Sequence, residues 1–163
     1  MTRAMLFIRS RGVLAETRAY NYTAGPEIGK LAAKAIGVAE GELYKTLVFA
    51  VDAVPVLVLI DSAHRVSIRK LARASGASEA GECSPRDAER YTGYEIGGIS
   101  PFATRRRLDV YVDAAIAGQR RVFVNGGRRG LLVAMDPKKL ISLLDKPVIA
   151  DLRVAQASDQ VVK

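Results

Sequence analysis

Two apolar runs rich in β-branched residues, Tyr44 to Val51 and Val54 to Ile60, are separated by only Asp52 and Ala53. Two strands joined by so short a loop fold back on each other as an antiparallel hairpin. The apolar character of both runs places that hairpin at the centre of the molecule. Val54 to Ile60, the longest apolar run, is far shorter than the ~20 residues that cross a bilayer. The hairpin belongs to a water-soluble core, around which the rest of the chain must be arranged.

Thr2 to Ser10 predicts a short opening helix, and Val13 to Tyr20 an edge strand. Pro26 suits a first helical position; Ile28, Leu31, Ala32, Ala35 and Ile36 then form an apolar stripe, and Gly37 stops the helix. Ser67 to Ala74 has helical spacing through Ile68, Leu71 and Ala72, with Gly76 as the stop. Ser84-Pro85-Arg86-Asp87 combines an N-cap, a proline at the first position and an acid in the first turn, so a helix runs towards Tyr91. Thr92 to Pro101 is a glycine-rich loop. Strands follow around Asp109 to Ala114, Arg121 to Val124 and Gly130 to Met135, the last two joined by glycine-bearing turn residues. Asp136-Pro137 caps a final helix that buries Leu140, Ile141, Leu143 and Leu144. Helices scattered among hairpin-linked strands predict a mixed α/β fold: a curved, largely antiparallel, barrel-like sheet flanked by short helices, and not a doubly wound one.

The 163 residues suit one domain, expected over 1–152, with a frayed tail over 153–163. A chain of this length buries roughly 70% of its unfolded surface, so it folds without disulfides or metal. Cys83 is the only cysteine and His64 the only histidine, which excludes internal disulfides and multi-ligand His or thiolate zinc sites. A lone cysteine fits the reducing cytoplasm, and the N-terminus lacks the apolar core of a signal peptide. The formal charge is +8, and residues 101–130 hold seven arginines against Asp109 and Asp113, a local +5. Such a concentration suggests a polyanionic partner, nucleic acid foremost; a general aid to solubility is the plainer reading.

There is no phosphate-binding Gly-x-x-x-x-Gly-Lys-[Ser/Thr] loop and no Gly-x-Gly-x-x-Gly after a strand, and no cofactor is expected. His64 reads as part of a turn and Cys83 as an inert thiol, although its place before a helix cap would suit a nucleophile. Three features carry more. Lys45, followed by Thr46 and Leu47, puts an ammonium at the mouth of an apolar strand: a solvated strand end, or the rim of a pocket. Thr92 to Pro101 packs three glycines and a proline into ten residues, more than an ordinary turn needs. Its free N–H groups could face an oxyanion. Val122 to Gly130 is a hairpin bearing Arg128 and Arg129: a basic tip, or a clamp on a sugar-phosphate.

Taken in order, Lys45-Thr46-Leu47, Thr92-Gly93-Tyr94, Gly97-Gly98-Ile99-Ser100-Pro101-Phe102 and Asn125-Gly126-Gly127-Arg128-Arg129-Gly130-Leu131 resemble the YbaK/EbsC branch of the prolyl-tRNA synthetase editing-domain superfamily. Gly97 to Pro101 carries the family's Gly-x-x-x-Pro pattern. The resemblance covers about Thr2 to Leu152 and implies an editing-domain fold and a trans-acting deacylase of mischarged tRNA, Cys-tRNA(Pro) foremost. Its ester cleavage would be substrate-assisted, an activity classed as hydrolase or lyase. A tRNA- or synthetase-binding module without catalysis is the alternative. The resemblance puts the functional lysine on Lys45 and a pocket tyrosine on Tyr20. With it, Gly97, Gly98, Ile99, Ser100 and Pro101 are expected at the catalytic site. Thr46, Asn125, Gly126 and Gly127 are expected against the substrate, and Arg128 and Arg129 on the RNA, with Arg105 to Arg107 adding attraction. The implied partners are the aminoacylated acceptor end of tRNA and prolyl-tRNA synthetase, with no membrane and a monomeric chain. Two positions depart from the pattern. Ala103 stands where the family often has glycine, and Leu132 where the YbaK prototype carries an aspartate, which leaves the amino acid open.

Overall fold

The protein is described here by a computed structural model of residues 1–155. Along the chain run α1 (Arg3–Ser10), β1 (Glu16–Ala19), α2 (Ile28–Ile36), β2 (Tyr44–Val51), β3 (Val54–Asp61), α3 (Ile68–Ser75) and β4 (Ala80–Glu82). There follow α4 (Pro85–Thr92), β5 (Asp109–Asp113), β6 (Val122–Asn125), β7 (Leu131–Met135), α5 (Pro137–Leu143) and β8 (Val148–Ala150). Short 3-10 turns occupy Glu40–Glu42 and Ala114–Gly118.

The central hairpin forms as its sequence requires, with Tyr44 opposite Asp61 and Val51 opposite Val54. Both loop residues have positive φ, +46° at Asp52 and +66° at Ala53, the backbone of a tight primed turn. The Asp52 carboxylate accepts the N–H groups of Ser78 and Glu79 at 3.0 and 2.9 Å, which fastens the approach to β4 onto the turn. The hairpin sits inside a five-stranded sheet of order β4-β2-β3-β5-β8. From Pro55 to Asp61, β3 is buried along its length because both its faces are covered. Leu57 and Leu59 enter one cluster with Ile8, Phe102 and Leu140; Val56 and Val58 enter another with Leu71 of α3 and Leu152.

A second sheet, of order β1-β7-β6, is antiparallel throughout. It adjoins the first through one parallel bridge, Leu43 to Phe123, so the expected barrel does not close; the fold is mixed α/β with two sheets. Four of the six ladders are antiparallel; those of β3 with β5 and β5 with β8 are parallel.

Two further expectations need correction. Helix α2 starts at Ile28, behind a turn at Pro26 and Glu27, and buries Ala32 and Ala33; Leu31 is 46% exposed. Its packing face is made of small residues: a Cβ on Gly29 would stand 2.8 Å from the Ser62 Cβ, so the helix lies closer than a leucine stripe would permit. The three-residue strands β4 and β8 have no separate signal in the sequence. Finally, the expected tail does not begin at Arg153. Val66 and Arg153 form an antiparallel bridge, and the Val154 N–H donates to the Arg65 carbonyl at 2.9 Å. Residues 156–163 lie outside the described residues.

Candidate active site

A cavity of about 660 Å³ opens where α2, the start of β2, the β4–α4 junction, the glycine loop and the β6–β7 hairpin meet. Lys45 and Thr46 enter it from β2, Tyr20 from the end of β1, and Gly97 and Ile99 from the loop. Asn125 and Arg129 complete that wall. The fold thus brings together residues from all three sequence features.

The Lys45 Nζ donates to the His64 carbonyl at 2.8 Å. Burial lowers its pKa from the ordinary lysine range; the carboxylates of Asp61, Glu82 and Glu40 oppose that shift, and Arg65 adds to it. Thr46 Oγ1 is buried without a hydrogen-bond partner among the described residues. Burial chiefly raises the Tyr20 phenol, against a hydrogen bond from the Gly130 backbone.

The glycine loop is fastened from both sides. Asn125 Nδ2 donates to the Gly97 carbonyl at 3.0 Å, while Asn125 Oδ1 accepts the N–H groups of Gly127 and Arg128 at 2.7 and 3.1 Å. Arg129 Nε donates to the Ile96 carbonyl at 2.8 Å, and its guanidinium lies 4.8 Å over the Tyr22 ring. Gly97 has φ +88°, and a Cβ there would meet the Tyr22 ring at 2.4 Å. A Cβ at Gly98 would meet the Arg128–Arg129 backbone at 2.8 Å. The Gly98 N–H is already bound to the Glu95 carbonyl at 2.8 Å, whereas those of Gly97 and Ile99 have no hydrogen-bond partner among the described residues.

Other expected site residues stand back from the cavity. Gly98, Ser100, Pro101, Gly126, Gly127 and Arg128 are not in its lining. Ser100 is fully buried, and its Oγ accepts the Phe102 N–H at 3.2 Å, which shapes the loop and presents no hydroxyl to the cavity. Gly126 is held from α1, whose cap Thr2 donates from Oγ1 to its carbonyl at 2.5 Å.

Conversely, Tyr22, Gly29, Glu82 and Cys83 line the cavity without having been singled out for it. The Tyr20-Asn21-Tyr22 spacing was a signal for the first. The place of Cys83 in the cavity wall follows only from β4 pairing with β2: the Cys83 N–H donates to the Val48 carbonyl at 3.0 Å. Burial, then Asp87 and Glu82, push the Cys83 thiol up, so it stays protonated and a weak nucleophile. Leu132 is buried in the floor and makes it apolar. Among the described residues no group of three or more His, Cys, Asp or Glu side chains could hold a metal ion, and no helix is long and apolar enough to cross a membrane.

Fold and cavity define a small α/β protein whose cavity is walled by a half-buried lysine and a glycine-loop backbone, with no thiolate or other activated side-chain nucleophile in the lining among the described residues. The family model of the aminoacyl-tRNA editing domain matches residues 27–143, and the chain belongs to that family, as a member of YbaK/EbsC type. It is 30% identical over 112 residues, 68% of either chain, to EbsC of Enterococcus faecalis, a protein provisionally named a Cys-tRNA(Pro)/Cys-tRNA(Cys) deacylase. It is 28% identical over 127 residues to a proline–tRNA ligase of Nitratidesulfovibrio vulgaris, covering 76% of this chain and 21% of the ligase. A solved structure provisionally described as a trans-editing enzyme for prolyl-tRNA synthetase superimposes with a TM-score of 0.81 at 26% identity, covering 95% of this chain and 99% of that one.

Proposed function

We propose that the protein is a trans-editing deacylase that cleaves the ester of mischarged tRNA, with Cys-tRNA(Pro) its first candidate substrate. The observation that carries this reading is the meeting, in one cavity, of the half-buried Lys45 ammonium with a loop wall whose Gly97 and Ile99 N–H groups have no partner among the described residues. An aminoacyl ester is already activated, so donors placed around its developing oxyanion supply much of the rate without a protein nucleophile. Gly97 and Ile99 provide those donors. Gly98, whose N–H is spent, holds the loop against the hairpin. Lys45 steers the ester or the terminal phosphate, and Tyr20 and Thr46 line the side-chain subsite.

With cysteine as the esterified amino acid, its own thiol attacks the carbonyl carbon. The bond to the ribose oxygen breaks, and that oxygen leaves as the tRNA hydroxyl with the thiol's proton. Water then opens the thioester. The protonated Cys83 fits a scheme that needs no enzyme thiolate. The uncharged floor at Leu132 suits a small neutral side chain, so alanyl- and seryl-tRNA belong beside cysteinyl-tRNA in the test. In a deacylation panel, wild type should release one of these amino acids and Lys45→Ala should lose most of that activity. Binding of tRNA without release of any amino acid would favour the non-catalytic module.

A further inference from the structure

Asp61 and Asp113 are buried at the C-terminal ends of neighbouring parallel strands, β3 and β5, behind the cavity lining. Arg153 meets both, through Nη2 on Asp61 Oδ2 and Nε on Asp113 Oδ2, the second at 3.0 Å. Arg153 lies past the matched family region, which ends at residue 143. Its contacts nevertheless lead back to the site. Asp61 Oδ1 accepts the Ala63 N–H at 2.9 Å and bonds His64 Nδ1 at 2.8 Å, which shapes the turn after β3. The carbonyl of that same His64 receives the Lys45 ammonium. Leu152 and Val154 fix the far end of the turn through the Ser67 N–H to Leu152 carbonyl bond at 2.7 Å and the Val154 N–H to Arg65 carbonyl bond at 2.9 Å.

We infer that Arg153 is a positioning residue for Lys45: through Asp61 and the turn 61–64 it sets where the lysine head stands in the cavity. The inference rests on the reading that Lys45 works in this cavity. A lysine head rides on a flexible four-carbon stem, so a fixed acceptor decides its place. A displacement of about 1 Å at a reacting centre costs on the order of 10²-fold in rate. Loss of an ion pair that only stabilised the fold would lower the melting point and leave the lysine where it is.

The test compares wild type with Arg153→Gln and Arg153→Lys, alone and combined with Lys45→Ala. Melting curves establish that each variant is folded at the assay temperature. Arg153→Gln should lower kcat by at least about 10-fold with KM within about 2-fold, since the loss is of placement and not of binding surface. In the Lys45→Ala background the same change should cost nothing further. Independently of turnover, NMR of protein carrying ¹³Cε-lysine should show the Lys45 signal, assigned by its absence in Lys45→Met, moving towards the exposed lysines in Arg153→Gln. Arg153→Lys keeps the charge but cannot bridge both carboxylates, so it gives the same shifts at smaller size and serves where Arg153→Gln does not fold. An unmoved Lys45 signal, or rate losses that simply multiply, would overturn the inference. Should wild type release no amino acid from any tRNA, the functional reading fails while the NMR arm still decides the positioning.

Discussion

Gly98→Ala tests whether the loop backbone is part of the chemistry. The position is not in the cavity lining, its N–H is already bound, and its backbone needs no left-handed conformation, so a new methyl acts by volume alone. That methyl would stand 2.8 Å from the Arg128 carbonyl carbon and the Arg129 nitrogen, where ordinary contact begins at 3.4 Å. Both are backbone atoms, so the loop and hairpin must part by the difference of 0.6 Å. The bond from Asn125 to the Gly97 carbonyl, at 3.0 Å, then stretches beyond useful length. Losing it costs about 1 kcal/mol, and the forced shift another ~1–2 kcal/mol. A total of about 2–3 kcal/mol lowers the melting point by roughly 4–12 °C. The larger effect should be kinetic: Gly97 and Ile99 move with the loop, and misaligned oxyanion donors reduce kcat by roughly 10- to 100-fold. Single-turnover deacylation below the melting transition measures this. Gly118→Ala, where a Cβ meets nothing within 4 Å, is the control and should stay within about 0.5 kcal/mol of wild type. A folded Gly98→Ala protein that deacylates within about 3-fold of wild type would remove the loop backbone from the mechanism.

Ala53→Gly should raise stability by up to about 1 kcal/mol in chemical denaturation, because Ala53 holds φ +66° in a turn that favours glycine. Cys83→Ser should keep activity within about 3-fold; a dead variant would replace the substrate-assisted scheme with a protein nucleophile. Lys45 should lose its proton at a pH below that of a free lysine, so activity that needs the ammonium falls early on the alkaline limb of the rate profile, and Lys45→Arg should extend that limb. The linked stability has the opposite sign. With a depressed folded pKa, the contribution of Lys45 is full above the ordinary value of 10.5 and declines as pH falls through the folded one, a trend that Lys45→Met should abolish in melting curves. Arg128→Gln should weaken tRNA binding and flatten the plot of log K against log salt by about 0.7–0.9, with kcat unchanged. Arg129→Gln should lower kcat as well, since Arg129 holds the loop through Ile96 and Tyr22.

The hairpin was legible because two long apolar runs with a two-residue spacer leave few alternatives, and the caps at Ser84 and Asp136 were legible because capping is local. Closure of the sheet was not. It depends on how β2 and β6 meet, and Leu43–Phe123 is the single bridge there. Three-residue strands such as β4 and β8 have too few residues for a period, and exist because β2 and β5 offer them open edges. In α2 the rule that large apolar residues face inward misled, since Gly29, Ala32 and Ala33 make the close contact and Leu31 faces out. In the site, Lys45 stood out as a charge interrupting an apolar strand. Glu82 and Cys83 reach the cavity only through β4 pairing, and Arg153 reaches the turn behind it through two aspartates far away in sequence, so no local pattern placed any of the three there.

The excess charge of residues 101–130 looks different once its partners are known. Arg107 is shared between Asp109 and Asp145 at 2.7 and 2.9 Å. Arg121 faces Glu16 and Glu42 at 3.5 and 3.7 Å and lies over the Phe123 ring. Arg106 lies 5.4 Å over Tyr91, and Arg129 is part of the cavity wall. Only Arg105, Arg120 and Arg128 have no side-chain partner among the described residues, and of these Arg128 adjoins the cavity wall through Asn125 and Arg129. Exposed pairs of this kind, screened by solvent, hold little energy. They nevertheless put carboxylates beside the guanidinium groups that a phosphate would have to use. Attraction between this surface and a polyanion is therefore weaker than a count of arginines suggests. On the proposed reading, the cavity, with its half-buried lysine and unpaired loop amides, then carries more of the discrimination among substrates than this charged surface does.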